Sequence, residues 1–160
     1  MSITGVPKSD LPAESKGYAV TRSFFKADGS PADLTKLRQT DLLVMVIKGK
    51  RSDAARAARA LVVDLLPAGL EIQTATANSQ SSGRYPWLKD LTETAYTEER
   101  DDRYIAAIDM TEGKAEFTLA YVVRAVTPGE FAQPALVAED MYEPETTGRT
   151  GMSRLTVQGR

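Results

Sequence analysis

AEFTLAYVVRAV, residues 115–126, is the clearest β-strand signal in this sequence. Its larger apolar side chains recur at every second position: Phe117, Leu119, Tyr121, Val123 and Ala125. Successive side chains of a strand point to opposite faces, so a period of two places all five on one face. The pattern predicts a strand with that face against a hydrophobic core.

The residues before this strand predict its partner. Arg103 to Asp109 form a shorter apolar run, and Met110 to Gly113 have the composition of a turn. Two such runs joined by a short Gly-containing turn are typical of a β-hairpin. We therefore expect the strand at 103–109 to pair with the strand at 115–126.

Three other segments also have strand character. Asp41 to Lys48 is almost unbroken Leu, Val, Met and Ile, which is typical of a central strand covered on both faces. Gly17 to Phe25 is rich in aromatic and β-branched residues, and the following Asp28-Gly29 predicts a tight turn. Ser153 to Val157 is expected to form a last edge strand.

Local signals conflict between Asp53 and Leu66. Ser52 is a favourable helix cap and the segment holds five alanines, so propensity alone predicts a helix. Against this, Leu61–Val63 is a β-prone run, and Pro67 would end a helix soon afterwards. We keep a strand at Leu61–Val63.

These segments predict an all-β fold, an antiparallel β-sandwich, because several short strands occur without any alternation of strands and helices. A chain of 160 residues fits one domain. Residues 1–16 contain Pro7 and Pro12 and show no periodicity, which predicts a leading or linker segment. The sandwich domain is expected over 17–160, with a polar loop over Thr76 to Gly83.

Composition excludes much catalytic chemistry. The chain has no cysteine and no histidine, so thiolate nucleophiles, disulfides, His-dependent triads and Cys- or His-ligated metals are ruled out. Ser79, Ser81 and Ser82 lack the flanking pattern of a catalytic serine. We expect no enzyme activity, no catalytic residue, no cofactor and no metal.

Charge and hydropathy also limit the partners. A net charge of −2 argues against nucleic acid, whose binding needs clustered Lys and Arg. The longest apolar runs fall short of the ~20 residues that a spanning helix requires, so direct membrane insertion is not expected.

Two surface sites remain open as alternatives. The block Glu98 to Arg103 holds four carboxylates, which is the chemistry of a metal site or of a hydrolase. It lacks the spacing of a calcium loop, and its alternating signs favour ion pairs. Tyr85, Trp87 and Tyr96 would form a stacking platform if the chain were a free-standing carbohydrate- or protein-binding module. Without such a platform, Trp87 is expected to close one end of the core.

The pair Met141-Tyr142 lies among carboxylates near the C-terminus. Amphipathic aromatics are enriched at protein interfaces, but a strand through the same pair would turn one of the two side chains into the core. The pattern favours a core position for Met141 and gives no preference between core and interface for Tyr142.

Four blocks together resemble the last macroglobulin-like domain of the bacterial alpha-2-macroglobulins. In order, they are LVVDLLPAGLEI at 61–72, RDDR at 100–103, RAVTPGEF at 124–131 and EDMYEP at 139–144. The resemblance extends over about Gly17 to Arg149. It implies a β-sandwich, supports a strand over a helix at Leu61–Asp64, and implies that the chain is the C-terminal part of a much larger protein.

The resemblance also implies a function. Such parents are periplasmic or extracellular, usually membrane-anchored lipoproteins, and trap proteases that cleave a bait region. In related proteins the last domain packs against the thioester domain, where its Met or aromatic side chains exclude water. By position in the motif, Met141 and Tyr142 are the candidates for this interface, and the partners are the thioester domain and, through the parent, the target proteases.

Overall fold

The computed structural model describes residues 12–75 and 85–159. Within these ranges the chain forms thirteen strands and no helix. Residues 1–11 of the predicted leading segment, and the predicted polar loop at 76–83 with its three serines, lie outside the described residues. The described part contains no helix that could cross a membrane.

The strands form two large sheets and one small sheet. The six-stranded sheet runs, in spatial order, β1 (Glu14–Lys16), β12 (Thr147–Arg149), β11 (Leu136–Asp140), β5 (Ala58–Leu65), β8 (Arg103–Met110) and β7 (Tyr96–Arg100). The four-stranded sheet runs β2 (Tyr18–Phe25), β4 (Leu42–Arg51), β9 (Glu116–Ala125) and β6 (Leu70–Ala75). The three-stranded sheet runs β10 (Gly129–Gln133), β13 (Ser153–Gln158) and β3 (Leu37–Arg38).

The predicted antiparallel β-sandwich is confirmed. Every strand pair is antiparallel except β13 with β3. The main core contains buried residues from both large sheets and from β3 and β13 of the small sheet. Inward-facing side chains of packed sheets form such a core when each strand alternates between core and outside.

The predictions for β9 and β4 hold. All five alternating residues of β9, from Phe117 to Ala125, belong to the main core. Residues 43–47 of β4 are all buried, with Leu43, Met45 and Ile47 in the main core. Val44 and Val46 belong to a second cluster, which covers the other face of this sheet. β4 is therefore covered on both faces, as a central strand should be.

The helix that propensity predicts within 53–66 is wrong, and the strand kept at Leu61–Val63 is confirmed within the longer β5. β5 pairs with β11 on one side and β8 on the other, so its backbone groups are bonded in two ladders. Ala58, Ala60 and Val62 face the core at every second position. These ladders and this burial outweigh the helix propensity of alanine.

The predicted hairpin between residues 103–109 and 115–126 is wrong. β8 pairs with β5 and β7, whereas β9 pairs with β4 and β6 in the other sheet. Residues 111–115 therefore cross between the sheets, where the buried Arg51 side chain donates hydrogen bonds to the carbonyls of Arg56, Thr111 and Lys114. Turn composition predicts a reversal of direction but not which strand the chain joins afterwards.

Three further predicted segments differ in how well they agree with the structure. The strand Tyr18–Phe25 and its turn are confirmed, with Gly29 N donating to Lys26 O at 3.0 Å. The expected edge strand at Ser153–Val157 is instead the central strand of the small sheet, because β3 pairs with its free side. Within the predicted leading segment, Glu14–Lys16 form β1 against β12.

Candidate functional site

The loop between β11 and β12, residues 141–146, carries both predicted interface residues on a firmly bonded backbone. Asp140 at its base accepts hydrogen bonds from Tyr142 N at 2.8 Å and Glu143 N at 3.4 Å. Asp140 N donates to Thr146 O at 2.9 Å, and Met141 N donates to Arg59 O on β5 at 2.8 Å. An aspartate that bonds amides two and three residues ahead is a common way to fix a turn.

Both side chains point into solvent. Met141 is 48% exposed and Tyr142 is 70% exposed. The sequence preference for Met141 in the core is therefore wrong: Leu136, Ala138 and Asp140 of β11 face inward, so the next residue, Met141, faces outward. Ordered loops that expose apolar side chains are typical of interaction sites.

A cavity of about 200 Å³ lies beside this loop, and its lining includes Tyr18, Arg51, Asp140 and Tyr142. The Tyr18 hydroxyl is buried and has no hydrogen-bond partner among the described residues. Burial raises the pKa of Tyr18 to about 12, and the negative charge of Asp140 adds to the rise. The phenol is therefore neutral at physiological pH.

The charge block at residues 98–103 forms ion pairs at the turn between β7 and β8. Glu98 bonds Arg100, and Asp102 bonds Arg103 through two contacts of 3.1 Å. These arginine hydrogen bonds lower the pKa of both carboxyl groups. The described residues contain no group of three or more side chains suited to a metal ion. This arrangement is that of a solvated turn and gives the hydrolase alternative no geometric support.

Only two of the three aromatics of the alternative binding platform come together: Tyr85 and Trp87 pack edge to face with ring centroids 6.4 Å apart. Tyr85 is buried, whereas Tyr96 is 55% exposed on β7 of the other sheet and donates to Glu98. Trp87 packs against Phe25 with ring centroids 5.4 Å apart, and its indole N–H donates to Ala27 O at 2.9 Å. Trp87 thus packs against the second cluster, over the outer face of the four-stranded sheet, and does not close an end of the core.

A buried polar cluster, which sequence reasoning missed, joins the two large sheets. Asp64 on β5 is fully buried and accepts hydrogen bonds from Arg22 on β2 and Tyr121 on β9. Arg22 also donates to Pro134 O at 2.8 Å. Burial raises the pKa of Asp64, while the charge of Arg22 opposes that rise. In the sequence, the only indication of this cluster is a single aspartate within the apolar run of residues 61–66.

Comparison with known proteins identifies the family. Residues 17–145 match the model of the bacterial alpha-2-macroglobulin MG10 domain. The chain is 36% identical over 155 residues to alpha-2-macroglobulin of Escherichia coli strain K12, covering 91% of this chain and 9% of that protein. It is 31% identical to the Xylella fastidiosa (strain Temecula1) protein of the same name, covering 97% of this chain and 10% of that one.

Solved structures agree. A crystal structure of Salmonella alpha-2-macroglobulin reacted with methylamine matches with a TM-score of 0.78 and 32% identity, over 96% of this chain and 10% of that one. Native E. coli alpha-2-macroglobulin, from domain MG7 to the C-terminus, matches with a TM-score of 0.78 and 30% identity, over 96% of this chain and 25% of that one. The chain spans about a tenth of the length of the curated relatives it matches. It belongs to the bacterial alpha-2-macroglobulin family and corresponds to the MG10 domain.

Proposed function

We propose that this domain is a non-catalytic interaction module of a bacterial alpha-2-macroglobulin that traps proteases. In this proposal the parent is periplasmic or extracellular and anchored as a lipoprotein. The match to the bacterial MG10 family supports an alpha-2-macroglobulin as the parent protein. The lack of any cysteine or histidine supports a non-catalytic role. The observation that carries the interaction role is Tyr142, which is 70% exposed on a loop whose backbone is held by Asp140 and Arg59.

The proposed partner of Met141 and Tyr142 is the thioester domain of the same parent. An acyl thioester survives only where water and amines are kept away. An aromatic side chain on a preorganised loop loses little conformational entropy when it docks, so it is well suited to cover such a bond. In this proposal, cleavage of the bait region by a protease separates the two domains and uncovers the thioester.

Replacing Tyr142 in the full-length parent tests this role. We expect Tyr142→Ala to speed the consumption of the thioester by methylamine about thirtyfold, since truncating a central interface tyrosine costs about 2 kcal/mol. Tyr142→Phe keeps the ring and should stay within about twofold of the unchanged parent, because most of the buried area remains. The readout is the incorporation of labelled methylamine over time, before any protease is added.

The matched control is Leu42→Ala, which truncates another exposed side chain, 42% accessible, on β4 of the other large sheet. It should leave the thioester lifetime unchanged. Equal lifetimes for the Tyr142→Ala and Leu42→Ala parents would contradict the proposed contact with the thioester domain.

A further inference from the structure

The outer face of the six-stranded sheet is apolar where solvent would favour polar residues. In β5, Ala58, Ala60, Val62 and Asp64 are buried, so Leu61, Val63 and Leu65 point outward. An antiparallel sheet with one solvated face normally shows polar residues at such positions. Three successive outward aliphatic residues on a central strand therefore require an explanation.

Neighbouring strands extend this surface. Val63 lies opposite Val137 on β11 and Ile105 on β8, and Leu61 lies opposite Ala107 on β8. We define the apolar sheet face as six residues: Leu61, Val63, Leu65, Ile105, Ala107 and Val137. Leu65 is 37% exposed and Val137 is 39% exposed. Side chains directly opposite on paired strands are in reach of one another, which joins Leu61 to Ala107 and Val63 to Ile105 and Val137. Leu65 continues the surface along β5, and Ala107 contributes little exposed area because it is only 6% exposed.

Most charges around the apolar sheet face form ion pairs, whereas Glu139, opposite Leu61 on β11, has no salt bridge among the described residues. Arg59 bonds Asp109 at 2.6 Å on the side toward the Met141 loop, and Arg149 bonds Glu14 at 3.2 Å beyond Val137. On the opposite side Glu98 bonds Arg100. Because three of these charge pairs are already satisfied within the domain and Glu139 is a single carboxylate at the β11 side, the surface favours a largely apolar partner over a strongly charged one.

We propose that the apolar sheet face is a docking surface for a neighbouring domain of the same parent chain, which presents an apolar surface to it. The inference rests on the proposed function, because it requires a multidomain parent. Two observations favour this occupant. The curated relatives are about ten times the length of this chain, and Met141, at the base of the proposed contact loop, bonds Arg59 at the margin of this face.

Cysteine labelling tests the docking surface, because the 160-residue chain has no cysteine of its own. V137C places a thiol on the apolar sheet face, and L42C places one at a position of similar exposure, 42%, on the four-stranded sheet. Each is made in the 160-residue chain and in the full-length parent, and the parent without an added cysteine sets the background. Circular dichroism checks that each variant folds.

A docked cysteine reacts only when the interface opens, so we expect V137C to label about tenfold or more slowly in the parent than in the 160-residue chain. L42C should label at equal rates in both. Equal rates for V137C in the two chains would overturn the inference. If V137C slows as the 160-residue chain is concentrated but is not slowed in the parent, the surface belongs to a second copy of the chain and the inference again fails.

Y142C in the same assay separates this inference from the proposed function. Protection of Y142C without protection of V137C would retain the loop contact and remove the apolar sheet face from the interface. Protection of V137C without protection of Y142C would support the docking surface and contradict the loop contact.

Discussion

Asp64 shows how one residue can hold two sheets together. It lies on β5 of the six-stranded sheet, while its partners Arg22 and Tyr121 lie on β2 and β9 of the four-stranded sheet. The side chains of Asp64 and Arg22 are 0% and 4% exposed. Water cannot solvate either charge, so each is stabilised by the other. Breaking such a pair leaves one charge buried and uncompensated.

Asp64→Leu should therefore lower the free energy of unfolding by about 3–5 kcal/mol. The double change Arg22→Met with Asp64→Leu removes both charges and should lose much less. Urea unfolding followed by the fluorescence of Trp87, the single tryptophan, measures both variants. A double variant as unstable as Asp64→Leu would show that packing, and not the unpaired arginine, causes the loss.

At the scale of elements, β12 approaches β2 so closely that only glycine fits at one position. Gly148 lies between Ser15 on β1 and Ala138 on β11. A Cβ added there would lie 2.0 Å from the backbone oxygen of Tyr18. Because the obstacle is backbone, it cannot rotate away, and a side chain would force the two strands apart.

Gly148→Ala should lower the free energy of unfolding by about 1–3 kcal/mol through this overpacking. It should also speed amide hydrogen exchange in the 141–146 loop, whose bonds depend on the end of β12. Gly159→Ala is the control, since its Cβ would meet nothing closer than 3.6 Å, and it should change stability by less than about 0.5 kcal/mol. Equal free energies of unfolding for the two variants would mean that β12 can shift away from β2 without loss of stability, which would contradict the proposed overpacking.

At the scale of the whole molecule, buried tyrosines link folding to alkaline pH. Tyr18, Tyr104 and Tyr121 are fully buried, and burial raises the pKa of each above its ordinary value of 10.0. The unfolded chain releases these protons near pH 10 while the folded domain retains them. The stability that these groups contribute is therefore complete below pH 10 and is lost as pH rises toward the folded values, about 12 for Tyr18.

The free energy of unfolding should thus fall as pH rises above 10, by up to about 1.4 kcal/mol per pH unit for each tyrosine. Tyrosinate absorbance, measured together with circular dichroism, checks the cause. Of the six tyrosines, these three should ionise only as the β-sheet signal disappears. Ionisation of all six in the folded domain would contradict the assigned burial.

What the sequence determined was local. The period-two pattern of β9 and the unbroken apolar run of β4 reported strand character and burial, because both depend only on which faces of a strand are covered. The four ordered blocks indicated the family. The same blocks made Met141 and Tyr142 the interface candidates, but they did not predict the exposure of these two side chains.

What only the tertiary structure decided was pairing. Alanine-rich β5 is a strand because β11 and β8 bond both of its sides, and β8 joins a different sheet from β9 although a short turn connects them. Asp64 meets Arg22 across 42 residues of chain, and Met141 faces outward because the pairing of β11 with β5 turns Asp140 inward. These outcomes depend on hydrogen bonds and burial between distant segments, and such energies have no signature in local sequence.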